Sequence, residues 1–441
     1  MKGSSTFQVV IMIVMIIGIV FAVAVFSGFI KFGSKSSTAV TGSVSVWGEL
    51  PRQVVAEYFT TLNTQNQDLK ITYTEVPSEN FDQTVLEALA SGKGPDVVLI
   101  TEDMLLKYKD KAFMIPFTSY SEGQIKTNFI REAELLITKD GLLGFPVTVD
   151  PLVLYYNRDL FDKAGIAVPP KNWDEIKNLV PLLTTIDKGN FSVKQSALPF
   201  GDFDNISHAK EIITALLLQT GNPLYKKDIS DYFIPTFKET YNPKHTSINV
   251  LDFYTSFASP TNELYTWNRG LPNSEQQFLV GKSAMYIGYA SELFALQQKN
   301  PNFNFDVVSF PQIADATSAV TYGKMLSAVV IKSTKNVAAA YYTAALLSGV
   351  DAQKYLSEKL SVPPVRRDLL AIRPSQTYAQ VFYNGALTAR SWIDPNTVMS
   401  AKIFRDMITT INSGSNSSEA ALSNVDAALG QLFMAVAATQ Q

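Results

Sequence analysis

Several residues and motifs that common enzyme classes need are missing from this chain of 441 residues. Cysteine is absent, so neither a disulfide framework nor a lipid-modified N-terminal cysteine can form. Histidine occurs only at His208 and His245, and a Ser-His-Asp or Cys-His arrangement would need one of them. No H-E-x-x-H motif, Walker loop or G-x-S-x-G motif is present. Paired carboxylates for glycoside cleavage stay open as catalytic chemistry.

Charge is also scarce, which bears on the kind of partner. Charged residues make up 17% of the chain, hydrophobic residues make up 46%, and the formal net charge is -3. This balance gives no electrostatic basis for nucleic-acid binding. It is enough apolar material for well-packed globular lobes.

A long hydrophobic run lies near the N-terminus. Val9 to Phe26 contains no polar side chain. About 20 apolar residues span a bilayer core as a helix, whereas a cleavable signal has a shorter run with small residues at the cut. Ala22 and Ala24 make only a weak cleavage pattern, and lysines flank the run on both sides. We therefore expect residues 1–31 to be an uncleaved transmembrane anchor and residues 32–42 to be a flexible linker.

The remainder, about 400 residues, is too long for one ordinary core and suggests two lobes. Its first part alternates strand and helix patterns. These are a strand at Ser43–Trp47, a helix at Gln53–Leu62, a strand at Leu69–Val76, a helix at Glu79–Ser91 and a strand at Asp96–Thr101. Alternation of this kind predicts crossover units and a mostly parallel sheet.

Candidate ligand groups follow two of these strands. In open parallel sheets, ligands bind beyond the C-terminal strand ends. Trp47 and Glu49 come after the first strand, and Glu102 comes after the third. An aromatic face together with carboxylate acceptors suits a polyhydroxylated ligand. The alternative is a core tryptophan with solvated turn acids.

A second strand-and-helix region carries another carboxylate. Phe145 to Tyr156 has the β-branched and aromatic composition of a strand, broken once at Asp150-Pro151. Because Pro151 cannot donate to a ladder, we expect a bulge, a bend or an edge there. Asp150 then needs a cation, backbone N–H groups or a ligand hydroxyl, unless it faces water at a bend. From Asn157, a capping residue, to Gly165 the pattern is helical.

Six segments, in this order, carry a family resemblance. They are G-P-D-V-V-L-I-T-E-D, G-F-P-V-T-V-D-P-L-V-L-Y-Y-N-R-D-L-F-D-K-A-G-I, P-P-K-N-W-D-E-I, F-L-V-G-K-S-A-M-Y-I-G-Y, Y-G-K-M-L-S-A-V-V-I and L-S-V-P-P-V-R-R. The ordered set resembles the extracellular solute-binding proteins of sugar ABC importers, the maltose-binding-protein-like family. The resemblance covers nearly all of residues 43–441.

The resemblance implies a periplasmic-binding-protein-like α/β fold, with two mostly parallel sheets flanked by helices and a hinge crossed more than once. Lobe 1 is expected at residues 43–112 plus 322–370. Lobe 2 is expected at residues 113–321 plus 371–441. A sugar site would lie in the cleft, and closure around the ligand would be a hinge motion.

The resemblance also adds site candidates. Tyr289 follows a family strand that contributes a cleft group, Tyr322 and Gly323 are expected to face the cleft, and Trp392 resembles a late cleft aromatic. Trp267, in the loop T-W-N-R-G, is another candidate aromatic, and the alternative is packing under that loop. Trp173, in the first turn of a predicted helix, is expected to be structural.

The function that we predict from the sequence is a binding protein rather than an enzyme. It would be a monomer, anchored by one N-terminal span with its bulk on the extracytoplasmic face of the cell membrane. It would capture a mono- or oligosaccharide and deliver it to ABC permease subunits, with no cofactor, metal or nucleic acid. The alternatives are a membrane-anchored glycoside-acting enzyme and a sugar-sensing or adhesion module without transport.

Overall fold

The computed structural model describes residues 40–187, 189–229, 232–316 and 318–439. The predicted transmembrane anchor at residues 1–31 and most of the predicted linker at residues 32–42 lie outside these ranges.

The described part of the chain alternates strands and helices, numbered here along the chain. The strands are β1 Gly42–Gly48, β2 Leu69–Glu75, β3 Val97–Thr101, β4 Ile137–Thr138, β5 Gly141–Leu142, β6 Phe145–Asn157, β7 Thr185–Ile186, β8 Val193–Gln195, β9 Tyr225–Lys227, β10 Phe233–Pro235, β11 Met285–Tyr289, β12 Phe305–Ser309, β13 Thr321–Val330 and β14 Ala389–Arg390. The helices are α1 Arg52–Gln65, α2 Phe81–Ala90, α3 Leu105–Tyr108, α4 Glu122–Asn128, α5 Arg158–Lys163, α6 Trp173–Leu183, α7 Ala209–Gln219, α8 Ser247–Ser256, α9 Ser274–Leu279, α10 Glu292–Lys299, α11 Val337–Leu347, α12 Val350–Leu360, α13 Arg367–Leu370, α14 Thr377–Thr388, α15 Thr397–Asn412 and α16 Ser418–Thr439.

The order of the first five elements confirms the sequence prediction. Helix α1 buries Val55, Tyr58, Phe59 and Leu62, which share one helical face. Strand β1 alternates buried and less buried residues before the chain turns into α1. Helical and strand periodicity were therefore sufficient to place these elements.

The predicted helix caps are also present. The Asn157 side chain accepts a hydrogen bond from the Leu160 backbone N–H at the start of α5. Gly165 has φ +71, the left-handed conformation that commonly ends a helix. Asn172 accepts from the Glu175 backbone N–H at 2.9 Å and caps α6. These contacts satisfy backbone donors that a helix start otherwise leaves unpaired.

The chain divides into two compact units. Unit 1 is residues 40–149 plus Met325–Ile372, and unit 2 is Asp150–Lys324 plus residues 373–439. The chain passes from one unit to the other inside β6, inside β13 and after α13.

The division differs from the predicted lobes over residues 113–149, which belong with unit 1. Two backbone hydrogen bonds hold this stretch there, from the Phe113 N–H to the Val330 carbonyl and from the Ile130 N–H to the Val365 carbonyl. The Tyr341 hydroxyl of α11 donates to the Phe113 carbonyl as well, at 3.1 Å. These contacts are distant in sequence, so periodicity could not have assigned the segment.

Unit 1 contains the predicted parallel sheet. Strand β1 pairs in parallel with β2 on one side and β3 on the other. The last part of β13 pairs antiparallel with β3, with Leu326 opposite Thr101. Every side chain of β3 is buried, as expected for a central strand covered on both faces.

Unit 2 corrects the expectation of a second mostly parallel sheet. Strands β11 and β12 both run antiparallel to β6, while the short β14 runs parallel to β13. Strand β6 begins in unit 1 and continues into unit 2 without changing direction. Helix α10 connects β11 to β12, so these two strands run in the same direction as each other and opposite to β6.

Pro151 does not interrupt β6, contrary to the expected bulge, bend or edge. The strand runs from Phe145 to Asn157, and its ladder with β11 begins at Leu152. Pro151 uses its carbonyl, which accepts from the Ala290 N–H at 3.0 Å. Its missing N–H is tolerated because pairing with β11 starts one residue later.

Aromatic packing supplies much of the unit 2 core. Trp173 is only 5% exposed and lies 5.5 Å from Phe200 between ring centroids. Its indole N–H donates to Gln219 Oε1 at 2.8 Å. Trp173 is therefore a structural residue, as the sequence predicted.

The last helix is apolar but packed. Among the described helices, α16 is long and apolar enough over Ser418–Ala438 to cross a membrane by length and composition. Leu422, Val425 and Leu429 are buried in the described part of unit 2, and the Phe433 ring stacks on another ring at 5.3 Å. These residues place one face of α16 in the core of unit 2.

Candidate functional site

In unit 1, β1 and β3 are parallel neighbours, as predicted, and β3 continues past the level at which β1 ends. Trp47 is in register with Val98 in this parallel pair, and both Trp47 and Glu49 are half-buried. Glu102 is only 1% exposed, and its Oε2 accepts from the Met325 backbone N–H at 2.7 Å. Trp47 and Glu49 thus keep solvent-facing surface, whereas Glu102 is an internal carboxylate.

In unit 2, Asp150 is bonded to a backbone N–H group, one of the partners that a carboxylate inside an apolar strand needs. Its Oδ1 accepts from the Ser291 backbone N–H at 3.0 Å, and the side chain is partly exposed. Burial raises the pKa of Asp150 to about 6, and the charge of Glu292 adds to this rise. The hydrogen bonds from Ser291 and the charge of Lys324 act in the opposite direction and lower the pKa. A carboxylate held near water with a raised pKa is typical of a functional position.

Tyr289 lies at the end of β11, close to Asp150 in the fold. It is 8% exposed, and its carbonyl accepts from the Tyr155 hydroxyl at 2.8 Å. Its ring meets the His208 ring edge-to-face, with centroids 4.7 Å apart. The end of β11 therefore holds a mostly buried aromatic ring against His208, two residues before the Ser291 N–H that bonds to Asp150.

Two residues of this group, His208 and Glu292, were missed by sequence reasoning. His208 Nε2 lies 2.5 Å from Glu292 Oε1, although His208 precedes α7 and Glu292 begins α10. His208 also has φ +60, a left-handed conformation rare for a residue other than glycine. A lone histidine before a helix gives no sequence signal for either feature.

The two charges stabilise each other. Burial opposes ionisation of Glu292, but the bond and charge of His208 outweigh it and lower the pKa of Glu292. Burial likewise opposes protonation of His208, but Glu292, with smaller effects from Glu211 and Asp150, raises the pKa of His208. Both side chains are therefore charged near neutral to mildly acidic pH.

The structure buries two tryptophans that were expected to contact ligand. Trp267 is fully buried, and its indole N–H donates to Asn205 Oδ1 at 2.8 Å, so the alternative of packing under a loop is the observed one. Trp392 is 1% exposed and packs at 5.7 Å from Phe237. Trp267 is thus held by an amide side chain 62 residues away in sequence, whereas Trp392 packs among aromatic rings.

Tyr322 and Gly323, expected at the cleft, lie on β13 and are buried in this structure. Tyr322 is in register with Arg390 of β14.

The structure brings Asp150 and Tyr289 together with Ser291, Glu292 and His208. Within the described residues, no cluster of three potential metal-ligating side chains occurs.

The unit 2 group, defined as Asp150, His208, Tyr289, Ser291 and Glu292, supports binding chemistry. The Asp150 carboxylate can accept hydroxyl hydrogen bonds, and the Tyr289 ring can contact an apolar sugar face. Glu292 is already engaged with protein donors. The arrangement thus offers recognition groups for a polyhydroxylated molecule.

Comparison with known proteins identifies the family. The family profile described as bacterial extracellular solute-binding protein matches residues 57–382. Binding proteins of Brucella abortus (strain 2308) and Brucella suis biovar 1 (strain 1330) are each 30% identical over 114 residues. That alignment covers 26% of this chain and 28% of each relative. The chain thus matches little more than a quarter of the length of these curated relatives.

Solved structures share the fold at low sequence identity. The sugar-binding protein MalE of Xanthomonas citri is 19% identical with a TM-score of 0.71, covering 89% of this chain and 98% of its own. The cyclic α-maltosyl-1,6-maltose binding protein of Arthrobacter globiformis is 16% identical with a TM-score of 0.70, covering 89% and 99%. The substrate-binding protein Lmo0181 of Listeria monocytogenes, in complex with cycloalternan, is 17% identical with a TM-score of 0.66, covering 89% and 98%.

Proposed function

This chain belongs to the bacterial extracellular solute-binding proteins, and we propose that the solute it binds is a carbohydrate. The observation that carries the proposal is the unit 2 group. Asp150 is a partly exposed acceptor that receives the Ser291 backbone N–H, and Tyr289, two residues before Ser291, packs its ring on His208. Neutral sugars are recognised by this combination of charged acceptors and ring faces.

The fold relatives support the same ligand class. Three structures with TM-scores of 0.66 to 0.71 are described as sugar-binding, cyclic maltosyl-maltose-binding or cycloalternan-bound proteins. Trp47 and Glu49 of unit 1 keep exposed surface at a strand end and are the groups that we propose there. Glu102, Trp267, Tyr322, Gly323 and Trp392 are buried, so we leave them out of direct ligand contact.

Thermal shift followed by calorimetry tests the ligand class. The full-length chain is purified in a detergent without a sugar headgroup, because an alkyl maltoside would compete for the site. The panel contains glucose, maltotriose, mannotriose, cycloalternan and cyclic α-maltosyl-1,6-maltose, with amino acids as the control solutes. We expect one class of sugar to raise the melting temperature and to bind in a 1:1 ratio. A response to amino acids alone would overturn the proposal.

The same samples separate binding from catalysis. Incubation with each oligosaccharide is followed by chromatography of the supernatant. We expect the sugar to be recovered unchanged. Products that accumulate beyond one equivalent of protein would favour the glycoside-acting alternative.

We further propose that the protein is anchored by residues 9–26 at the extracytoplasmic face and delivers the sugar to an ABC permease. The unbroken apolar run in that segment supports the anchor. Carbonate extraction and protease accessibility of intact cells test it, with retention in the membrane and digestion from outside as the expected result. Loss of sugar uptake on deletion of the gene supports delivery, and unchanged uptake would favour the sensing alternative.

A further inference from the structure

The side chain of Glu292 folds back onto the end of β11. Its Oε1 accepts from the Tyr289 backbone N–H at 3.1 Å, and its Oε2 accepts from the Tyr286 hydroxyl at 2.7 Å. A Cβ at Gly288 would lie 2.7 Å from Glu292 Oε2 and 2.6 Å from the Tyr286 ring. Glycine at this position therefore leaves room for the carboxylate beneath the strand end.

His208 completes this arrangement on the side of the Tyr289 ring. Its Nε2 lies 2.5 Å from Glu292 Oε1, and its ring packs edge-to-face on Tyr289. A single carboxylate therefore contacts the Tyr289 backbone directly and the Tyr289 ring through His208. The left-handed backbone of His208 shows that the fold maintains this ring position at an energetic cost.

We infer that the Glu292–His208 ion pair is a positioning element of the ligand site, which holds Tyr289 in its binding conformation and makes ligand affinity depend on pH. The inference rests on the proposed function, because Tyr289 is assigned there to the sugar site. Glu292 and His208 act through Tyr289 and need not contact the sugar.

The charged groups around the pair define the pH window. Glu211 on α7 and Asp150 on β6 face His208, Lys324 on β13 faces Asp150, and Glu275 on α9 faces Tyr286. The pKa of His208 is raised above 6.5 and the pKa of Glu292 is lowered below 4.5, so the pair is intact between these values. Asp150, with a pKa of about 6, becomes a charged acceptor only toward the upper end of that window.

Two titrations with opposite directions follow. Affinity should rise through pH 6 as Asp150 ionises, and fall at a pH above 6.5 as His208 loses its proton. His208→Gln keeps a side-chain N–H donor without the charge and should remove only this fall. Asp150→Asn should remove only the rise near pH 6. A role limited to stability would not separate the two sides of the profile in this way.

The test measures two quantities on the full-length chain. Calorimetry from pH 4.5 to 9 gives the affinity for maltotriose and mannotriose as probes. Hydrogen–deuterium exchange of the peptide that contains Tyr289 is measured without sugar, and each variant is compared with the wild type at the same pH. For Glu292→Gln at pH 6.5 we expect roughly tenfold weaker binding and roughly tenfold faster exchange, since a charged acceptor becomes neutral.

A matched control keeps the result interpretable. Glu211→Gln removes a carboxylate that faces His208 from α7, and should leave exchange of the Tyr289 peptide near the wild-type value. Glu292→Asp tests whether a shorter acid restores part of the protection.

Each outcome decides one of the two ideas. Wild-type exchange and wild-type affinity in Glu292→Gln across the pH range would overturn the positioning role. If neither probe binds the wild type at any pH, the proposed function fails for these sugars. The exchange data then still decide whether Glu292 positions Tyr289.

Discussion

Glu102 in unit 1 and Asp150 in unit 2 are both carboxylates next to or within an apolar strand, but their surroundings in the structure differ. Glu102 in unit 1 follows β3, is 1% exposed and is bonded to the Met325 backbone N–H. Asp150 in unit 2 is partly exposed, and its pKa is raised to about 6. The comparison teaches that burial and available donors, rather than residue type alone, separate a structural acid such as Glu102 from the acid that we propose for ligand binding.

The largest expected effect is on Glu102, and it is an effect on stability. Glu102→Ala removes a buried acceptor and leaves the Met325 N–H unpaired beside a cavity, so we expect unit 1 to lose about 3–4 kcal/mol. Denaturant unfolding measures the loss. Glu102→Gln, which keeps an oxygen acceptor, should lose clearly less. Weaker sugar binding at unchanged stability would instead assign Glu102 to the ligand site.

The second prediction concerns Asp150, for which we expect an effect on ligand binding rather than the stability effect expected for Glu102. Asp150→Ala should weaken sugar binding by about ten- to a hundredfold, because a hydrogen bond to a charged acceptor contributes about 1.5–3 kcal/mol. Calorimetry at pH 7 measures the change. Asp306→Ala, which removes an exposed acid on the neighbouring strand β12, is the control and should bind as the wild type does. An unchanged dissociation constant for Asp150→Ala would remove this residue from the site.

The third prediction uses the raised pKa of Asp150. The folded state holds this proton up to about pH 6, whereas the unfolded chain releases it near 3.8. The free energy of unfolding that this carboxyl group contributes is therefore fully present below pH 3.8, and it is lost as the pH rises from 3.8 to about 6. Asp150→Asn should abolish that loss and stabilise unit 2 by about 1–2 kcal/mol at pH 7, with allowance for partial exposure.

Paired denaturation curves at pH 4.5 and pH 7 check this prediction, since the difference between wild type and Asp150→Asn isolates one carboxyl. A stabilisation of equal size at both pH values would contradict the assigned titration. It would indicate instead that the asparagine amide makes better contacts than the carboxyl group whatever the charge of that group.

Sequence periodicity predicted much of the fold because it depends on local spacing. The apolar face of α1 and the Asn157 and Asn172 caps each involve residues a few positions apart. The antiparallel pairing of β6 in unit 2 and the grouping of residues 113–149 with unit 1 depend on partners distant in sequence, and both differ from what the sequence predicted.

The candidate site divides in the same way. Asp150 could be singled out because a carboxylate inside an apolar strand always needs a partner. His208 and Glu292 could not, since only the fold brings an α7 cap next to the first residue of α10. Trp267 and Trp392 are likewise buried by contacts distant in sequence, a hydrogen bond to Asn205 for the first and packing on Phe237 for the second.

The smallest predicted effect is a difference in stability between variants of the two buried tryptophans, whereas a variant of Trp47 should differ from both in sugar affinity. Trp267→Phe breaks the indole bond to Asn205, whereas the buried Trp392 indole N–H has no hydrogen-bond partner in the described part of the chain. We therefore expect Trp267→Phe to be about 1 kcal/mol more destabilising than Trp392→Phe, since only the former loses a hydrogen bond. Thermal unfolding compares the two, and calorimetry should show sugar affinity near the wild type for both, with a drop only for Trp47→Ala. A loss of affinity in Trp392→Phe without a loss of stability would return that ring to the ligand site.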